Sequence, residues 1–220
     1  ASIVHVLVLP DGRFAYDPLG QCAQPAQGET AVDGFRYRVT DGRAESAAAP
    51  VRITVVGVND APVAGNDVAV TDEDTAVRLD VLANDDDIDS DDSAQTLRIV
   101  AAHAQGGTPV AITGDGKGLL LDPTAAFNGL SRRDVGGETI VYTIADRHGA
   151  TATASATVAI LGVNDAPIAG ADRLDVDEDH RATLPSATLL ANDRDPDIGD
   201  ALAIVAVDLG TVHGGLAVAR

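Results

Sequence analysis

Carboxylates are the side chains with the most chemistry to offer in this chain, and they come in clusters. Six of the eight residues from 85 to 92 are aspartate, and a matching group, Asp193, Asp195, Asp197 and Asp200, recurs further along. Two carboxylates ~5 Å apart repel by on the order of 1 kcal/mol in water and by several in a partly dry site, so a folded loop of this composition favours a divalent cation. The ligands on offer are hard oxygens at flexible Asp/Asn spacing, with no Cys or His among them. That selects Ca²⁺ over zinc or copper, while Mg²⁺ dehydrates too reluctantly for an all-protein cage. A solvated acidic surface, or plain Asp-Asn turns, are the competing readings. Solubility would constrain charge but not spacing, whereas three acidic elements recur together: Asn-Asp-Ala-Pro, Asp-Glu-Asp and Asn-Asp-x-Asp-x-Asp.

The framework that positions these clusters is a repeat. The hexapeptide GVNDAP occupies 57–62 and again 162–167, an interval of 105 residues. Asp17-Pro18 matches Asp122-Pro123 at that interval, Asp41 matches Asp146, Asp72-Glu73-Asp74 matches Asp177-Glu178-Asp179, and Leu97 matches Leu202. The string Leu-Ala-Asn-Asp starts at Leu82 and Leu190, so three residues are inserted before it and three lost after it, as loops allow. A period near 100 residues is too long for a solenoid unit and is the size of one independently cored domain. The expected organisation is the back part of one repeat over 1–57, a complete repeat over 58–162 and the front part of another over 163–220.

Composition narrows the class. The 220 residues are 45% hydrophobic but only 3% aromatic, with no Met or Trp, so the core must be aliphatic. A net charge of −19 argues against nucleic acid or an anionic membrane surface as partner, since both need Lys and Arg. The lone Cys22 excludes an internal disulfide framework, and no apolar run is long enough to insert in a membrane. The five histidines are scattered without HExxH, GxSxG or a Cys-His constellation, and Gly114 to Gly118 leads into a strand, so nothing supports an enzyme.

Short β-branched or alternating runs fall at 68–71, 77–82, 97–101, 109–113, 118–122, 139–145 and 151–161. Period-2 alternation is the mark of half-buried strands, and Asp11-Gly12 and Asp115-Gly116 supply hairpin turns between such runs. Seven strands in about 100 residues predict an all-β fold of tandem immunoglobulin-like or cadherin-like sandwiches, one complete and two partial, joined by linkers. Tyr37 and Tyr142 fall at the same strand position and are expected in the core. Residues 203–207 are expected to form a front strand of the last repeat, and 216–218 to correspond to the opening strand at 4–8.

The strings VNDAP, DEDT, LANDDDID and YTIADRHG, with the counterparts FRYRVTDG and LANDRDPD, resemble the VCBS or cadherin-like repeats of very large bacterial surface adhesins of the repeats-in-toxin secretion class. The resemblance covers essentially the whole chain. It implies a secreted protein at the bacterial cell surface, and calcium-binding linkers that stiffen an extender projecting a distal binding module. A ligand-binding head, for example for carbohydrate, is the alternative, although such heads usually present clustered aromatics. Similarity to cadherins implies a first junction drawing on Asn59, Asp60, Asp85, Asp87 and Asp146. It implies a second drawing on Glu73, Asn164, Asp165, Asp193 and Asp195. Asp89 and Asp197 extend the two aspartate series, and Asp41 and Glu178 are the counterparts of Asp146 and Glu73. The Asp-Arg-Glu element of cadherins is missing, which favours one or two ions per junction. The partners implied are neighbouring repeats of the same protein. The two partial segments carry complementary pieces, so head-to-tail self-complementation between molecules is also expected.

Overall fold

The structure, a computed structural model, describes residues 5–18, 24–93 and 95–207. Contacts divide it into two compact units, one of Ala1–Ala69, Val77–Leu121 and Thr139–Thr157, the other of Val70–Ala76, Asp122–Glu138 and Val158–Arg220. All seven strands expected of the complete repeat form. A four-stranded sheet has the order β5 (Asp67–Asp72), β11 (Thr151–Leu161), β10 (Val135–Ala145), β7 (Arg98–Ala104). A three-stranded sheet has the order β6 (Val77–Leu79), β9 (Leu119–Leu121), β8 (Val110–Ile112). This is an all-β sandwich of four plus three strands, and α1 (Thr124–Phe127) is a single helical turn after β9.

The alternation read from the sequence explains the layers. Along β10, Ile140, Tyr142 and Ile144 are buried while Val141 and Thr143 are not, as a strand with one face to the core requires. In the first unit Leu79, Leu97, Ile99, Leu119 and Leu121 join them, an aliphatic core with one aromatic ring. The Tyr142 hydroxyl lies 2.7 Å from Gly65 O and 2.8 Å from Asp67 Oδ2, acceptors that satisfy it at the core's edge. Gly116, at φ 68°, makes the tight turn between β8 and β9.

The first unit also holds the opening segment as two stacked hairpins. β1 (His5–Val8) pairs with β2 (Phe14–Asp17), and β3 (Thr30–Tyr37) pairs with β4 (Ala49–Val56). The Phe14 and Phe35 rings meet at a tilt of 32° with centroids 5.8 Å apart, and the Tyr16 hydroxyl donates to Asp33 at 2.9 Å. These four strands sit 105 residues before β8, β9, β10 and β11, so they are the counterparts of the back strands of the complete repeat. The consequence corrects the expectation for Tyr37: it is 43% exposed where Tyr142 is 1%. Its position on the strand is the same, but among the described residues no front layer covers it.

The second unit contains the last segment. Its chain bridges Ile168 to Arg194 and forms one helical turn, α2 (Ser186–Leu189), but residues 203–207 form no strand, contrary to the expectation, nor do 172–177. In the complete repeat the equivalent strands β7 and β5 hydrogen-bond to β10 and β11. The described part of the last segment has no counterpart of either, and a strand without a neighbour has no ladder. Cys22 and 216–218 lie outside the described residues.

Candidate acidic junction sites

Both copies of GVNDAP are fixed by the same backbone contacts. Gly57 N donates to Glu29 O at 2.8 Å and Gly162 N to Asp134 O at 2.9 Å. A Cβ at Gly57 would strike the carbonyls of Pro25 and Ala26, and one at Gly162 those of Leu130 and Ser131, so only glycine allows this approach. After the proline, Val63 and Asp86 exchange backbone hydrogen bonds of 2.8 and 3.1 Å, as do Ile168 and Arg194 at 2.8 and 3.0 Å. Each linker is thereby laced to the acidic loop that follows it, at equivalent positions.

At the first junction this lacing gathers carboxylates. Asn59 Nδ2 donates to Asp146 Oδ2 at 2.8 Å, and Asp60 N to Asp89 Oδ2 at 2.9 Å. Asp146 Oδ1 accepts the N–H groups of His148 and Ala150 at 2.8 and 2.9 Å, which sets the carboxylate at the β10–β11 turn. Carboxylate oxygens of Asp87, Asp92 and Asp146, all three buried, lie within 4.8 Å of one another. Asn59 Oδ1, Asp87 Oδ2, Asp89 Oδ1 and both oxygens of Asp92 are buried without a hydrogen-bond partner. Arg147 Nε approaches Asp92 Oδ1 only to 3.5 Å, at ion-pair range. Buried anionic oxygens without donors are costly, and converging carboxylates such as Asp87, Asp92 and Asp146 are the kind of donor set a hard divalent cation takes.

The electrostatics agree. Burial pushes the Asp87 carboxyl upward, and the charges of Asp92, Asp89 and Asp146 add to the push against the Asp89 N–H. Asp146 is also penalised by burial, but the Asn59 amide and the N–H groups of Gly149, Ala150 and His148 together hold it below the usual carboxylate value. Two unlike environments within one cluster thus shift Asp87 and Asp146 in opposite directions.

The second junction repeats the arrangement. Asp165 N donates to Asp197 Oδ2 at 3.0 Å, and Asp197 N to Asp195 Oδ1 at 3.0 Å, as Asp89 N does to Asp87 Oδ1. Oxygens of Asp195, Asp197 and Asp200 cluster within 4.8 Å, and Asp197 Oδ1 is buried and unpartnered. Glu73, fully buried, accepts from Val163 N at 2.8 Å and Leu130 N at 3.1 Å, so it lies beside Asn164 and not beside Asn59. The Asn164 amide donates to Asp165 O at 2.6 Å. Burial, then the charges of Asp74, Asp197 and Asp195, push Asp165 upward.

The structure brings Asn59, Asp60, Asp87, Asp89 and Asp146 together, and Glu73, Asn164, Asp165, Asp195 and Asp197 to the second linker. Asp85 and Asp193 also brace the backbone: their Oδ1 atoms accept the N–H of Gly65 and Gly170 at 2.7 and 2.8 Å, pinning the chain beyond each proline, and Asp85 Oδ2 is buried without a hydrogen-bond partner. Asp85's charged neighbour is Asp67, outside the cluster. Asp41 sits in an exposed turn, held below its ordinary value by the N–H groups of Ala44 and Arg43, and Glu178 is exposed. The sequence reading counts Asp92 and Asp200 in the acidic runs but leaves them out of the two junction sets. Their signal was present: the two are offset by 108 residues, as the Leu-Ala-Asn-Asp strings are.

Residues 59–159 match the family model described as a bacterial Ig domain. Residues 163–219 match one described as a cadherin-like domain. The complete repeat is thus similar to bacterial Ig domains and the last segment to cadherin-like domains. No curated protein matches the chain. Among solved structures, human mucin-like protocadherin EC1-2 is 16% identical with a TM-score of 0.43, over 74% of this chain and 82% of that one. Drosophila N-cadherin EC1-4 is 19% identical with a TM-score of 0.34, over 64% and 35%. The protocadherin GammaB4 extracellular domain is 14% identical with a TM-score of 0.41, over 80% and 29%. The chain thus spans about a third of the length of the last two. No helix among the described residues is long and apolar enough to cross a membrane.

Proposed function

We propose that this chain is a stretch of the stalk of a large secreted bacterial surface adhesin of the repeats-in-toxin class, in which calcium at the repeat junctions stiffens an array that carries a distal binding module. The single observation that carries the calcium reading is the set of buried, unpartnered oxygens at the first junction, on Asn59, Asp87, Asp89 and Asp92. Asp146 would join them, and Asp195, Asp197 and Asp200 would form the equivalent set at the second junction. The ion would supply the counter-charge that lets these carboxylates stay packed. The chain's own residues do the rest: Gly57 and Gly162 allow close backbone approach, Pro62 and Pro167 restrict the linkers, and the Val63–Asp86 and Ile168–Arg194 bridges hold the acidic loops against them.

Calcium then acts as a compartment switch. Inside a cell, where free calcium is far below micromolar, carboxylate repulsion loosens the junctions and favours export of an unlocked chain. Outside, at ~1 mM, a site of Kd ~10⁻⁴ to 10⁻³ M contributes about 0.4 to 1.4 kcal/mol by mass action, and a long array adds many such sites. Calcium titration followed by circular dichroism and small-angle scattering tests this. The expected result is a saturable, chelator-reversible narrowing of the distance distribution; identical scattering with EGTA and with millimolar calcium would refute the reading.

A further inference from the structure

The turn between β10 and β11 carries two residues of opposite charge side by side. Asp146 is buried and belongs to the cluster with Asp87 and Asp92, while Arg147 next to it is exposed. The Arg147 guanidinium nevertheless reaches the acidic loop: Nη1 lies 3.2 Å from Asp91 Oδ2 and Nε 3.5 Å from Asp92 Oδ1. The Arg147 side chain is 45% exposed and that of Asp92 0%, so one end of this contact is enclosed and the other open to water. His148 Nε2 meets the same Asp91 oxygen at 3.2 Å. Among the described residues no other basic side chain forms an ion pair with residues 85–92 or Asp146.

Arg147 answers one charge of this group and leaves the others. Asp91 Oδ1, Asp92 Oδ2 and Asp87 Oδ2 stay buried without a hydrogen bond. A divalent ion held by Asp87, Asp92 and Asp146 would share Asp92 with the guanidinium, and two cations on one enclosed carboxylate repel each other.

We propose that Arg147 is a tethered counter-cation of the first junction, which holds Asp91 and Asp92 in place at low calcium and which calcium must displace from Asp92 in order to bind. Arg147 thereby sets the calcium concentration at which this junction stiffens. The displacement rests on the calcium reading; the holding does not. Arginine suits the role because its planar fork serves two neighbouring carboxylates at once, through Nη1 and Nε. Its head can move into water while the stem stays on the turn. Holding and displacement are one free energy seen twice. The stability that Arg147 adds without calcium is given back when calcium binds, so removing its charge lowers the one and strengthens the other by the same amount.

Arg147→Gln removes the charge and keeps a donor on a shorter stem, whereas Arg147→Lys keeps the charge without the fork. Calcium is titrated calorimetrically into the parent and both variants at fixed ionic strength, and melting is followed by circular dichroism in EGTA and at saturating calcium. One class of sites in Arg147→Gln is expected to bind on the order of tenfold more tightly than in the parent, and Arg147→Lys to stay within about threefold of it. In EGTA, Arg147→Gln melts below the parent; at saturating calcium the two melt together. The cluster of Asp195, Asp197 and Asp200 is the internal reference, and its binding is the same in all three proteins. Equal calcium affinity of the parent and Arg147→Gln overturns the proposal and leaves the calcium reading standing. A melting difference that persists at saturating calcium overturns it as well, because it marks a plain structural pair. No calcium heat in any of the three proteins refutes the calcium reading, and this proposal with it.

Discussion

Asn59 Nδ2 donates a 2.8 Å hydrogen bond to Asp146 Oδ2, joining a linker residue to the turn between β10 and β11 over 87 positions of sequence. With its amide nitrogen so used, Asn59 leaves its other atom, Oδ1, buried without a donor. One side chain thus both ties the linker to the Asp146 carboxylate and holds a buried, unpartnered oxygen. Calcium removal is therefore expected to act on linker and loop together. Chelation lowers the melting temperature by on the order of 2 to 10 °C, the range that about 0.4 to 1.4 kcal/mol gives for a domain of this size. Differential scanning calorimetry at matched ionic strength measures it, and an unchanged transition would leave the clusters as solvated surface.

Asp92 and Asp85 separate ligation from scaffolding. Asp92→Asn is expected to weaken calcium binding by roughly tenfold or more, because it removes charge from the buried set. Asp85→Asn keeps an oxygen for the Gly65 N–H and stands outside the cluster, so affinity stays within about twofold of the parent. Isothermal titration of the two variants decides, and a larger loss for Asp85→Asn would reverse the assignment.

Glu73 is close in sequence to the first junction but serves the second. Glu73→Ala leaves the Leu130 and Val163 N–H groups without their acceptor, a loss of about 2 to 5 kcal/mol of local stability. Amide exchange should speed at Leu130 and Val163 and stay unchanged at Asp60 and Gly65. Faster exchange confined to the Asp60 region is the result that contradicts it.

Asp67 gives a pH test outside the acidic clusters. Burial first, and the charge of Asp80 with it, push its carboxyl above the ordinary value, against the Tyr142 hydroxyl and the Asn84 amide. A raised folded pKa means the folded state holds the proton more tightly, so this residue's contribution to stability rises as pH falls through the folded pKa towards the unfolded one. Asp67→Asn is therefore expected to stabilise relative to the parent at pH 7, with the gain shrinking as pH approaches about 4. Urea midpoints of the two proteins across that range check it, and a difference constant with pH would rule it out.

The sequence by itself determined the repeat, the all-β class, every strand of the complete sandwich and the acidic loops, because identity at a fixed interval, period-2 alternation and charge density are local properties. It also placed Glu73 at the far linker, through resemblance to cadherins. Tertiary structure decided which aspartates face one another. Asp85 and Asp87 are alike in sequence, but a loop turning between Val63 and Leu97 sends one to the Gly65 N–H and the other to Asp92 and Asp146. It decided, too, that Tyr37 is exposed while Tyr142 is buried, although their strands match. Burial depends on the layer that arrives from elsewhere in the chain, and a strand's own alternation names only the face that would receive it.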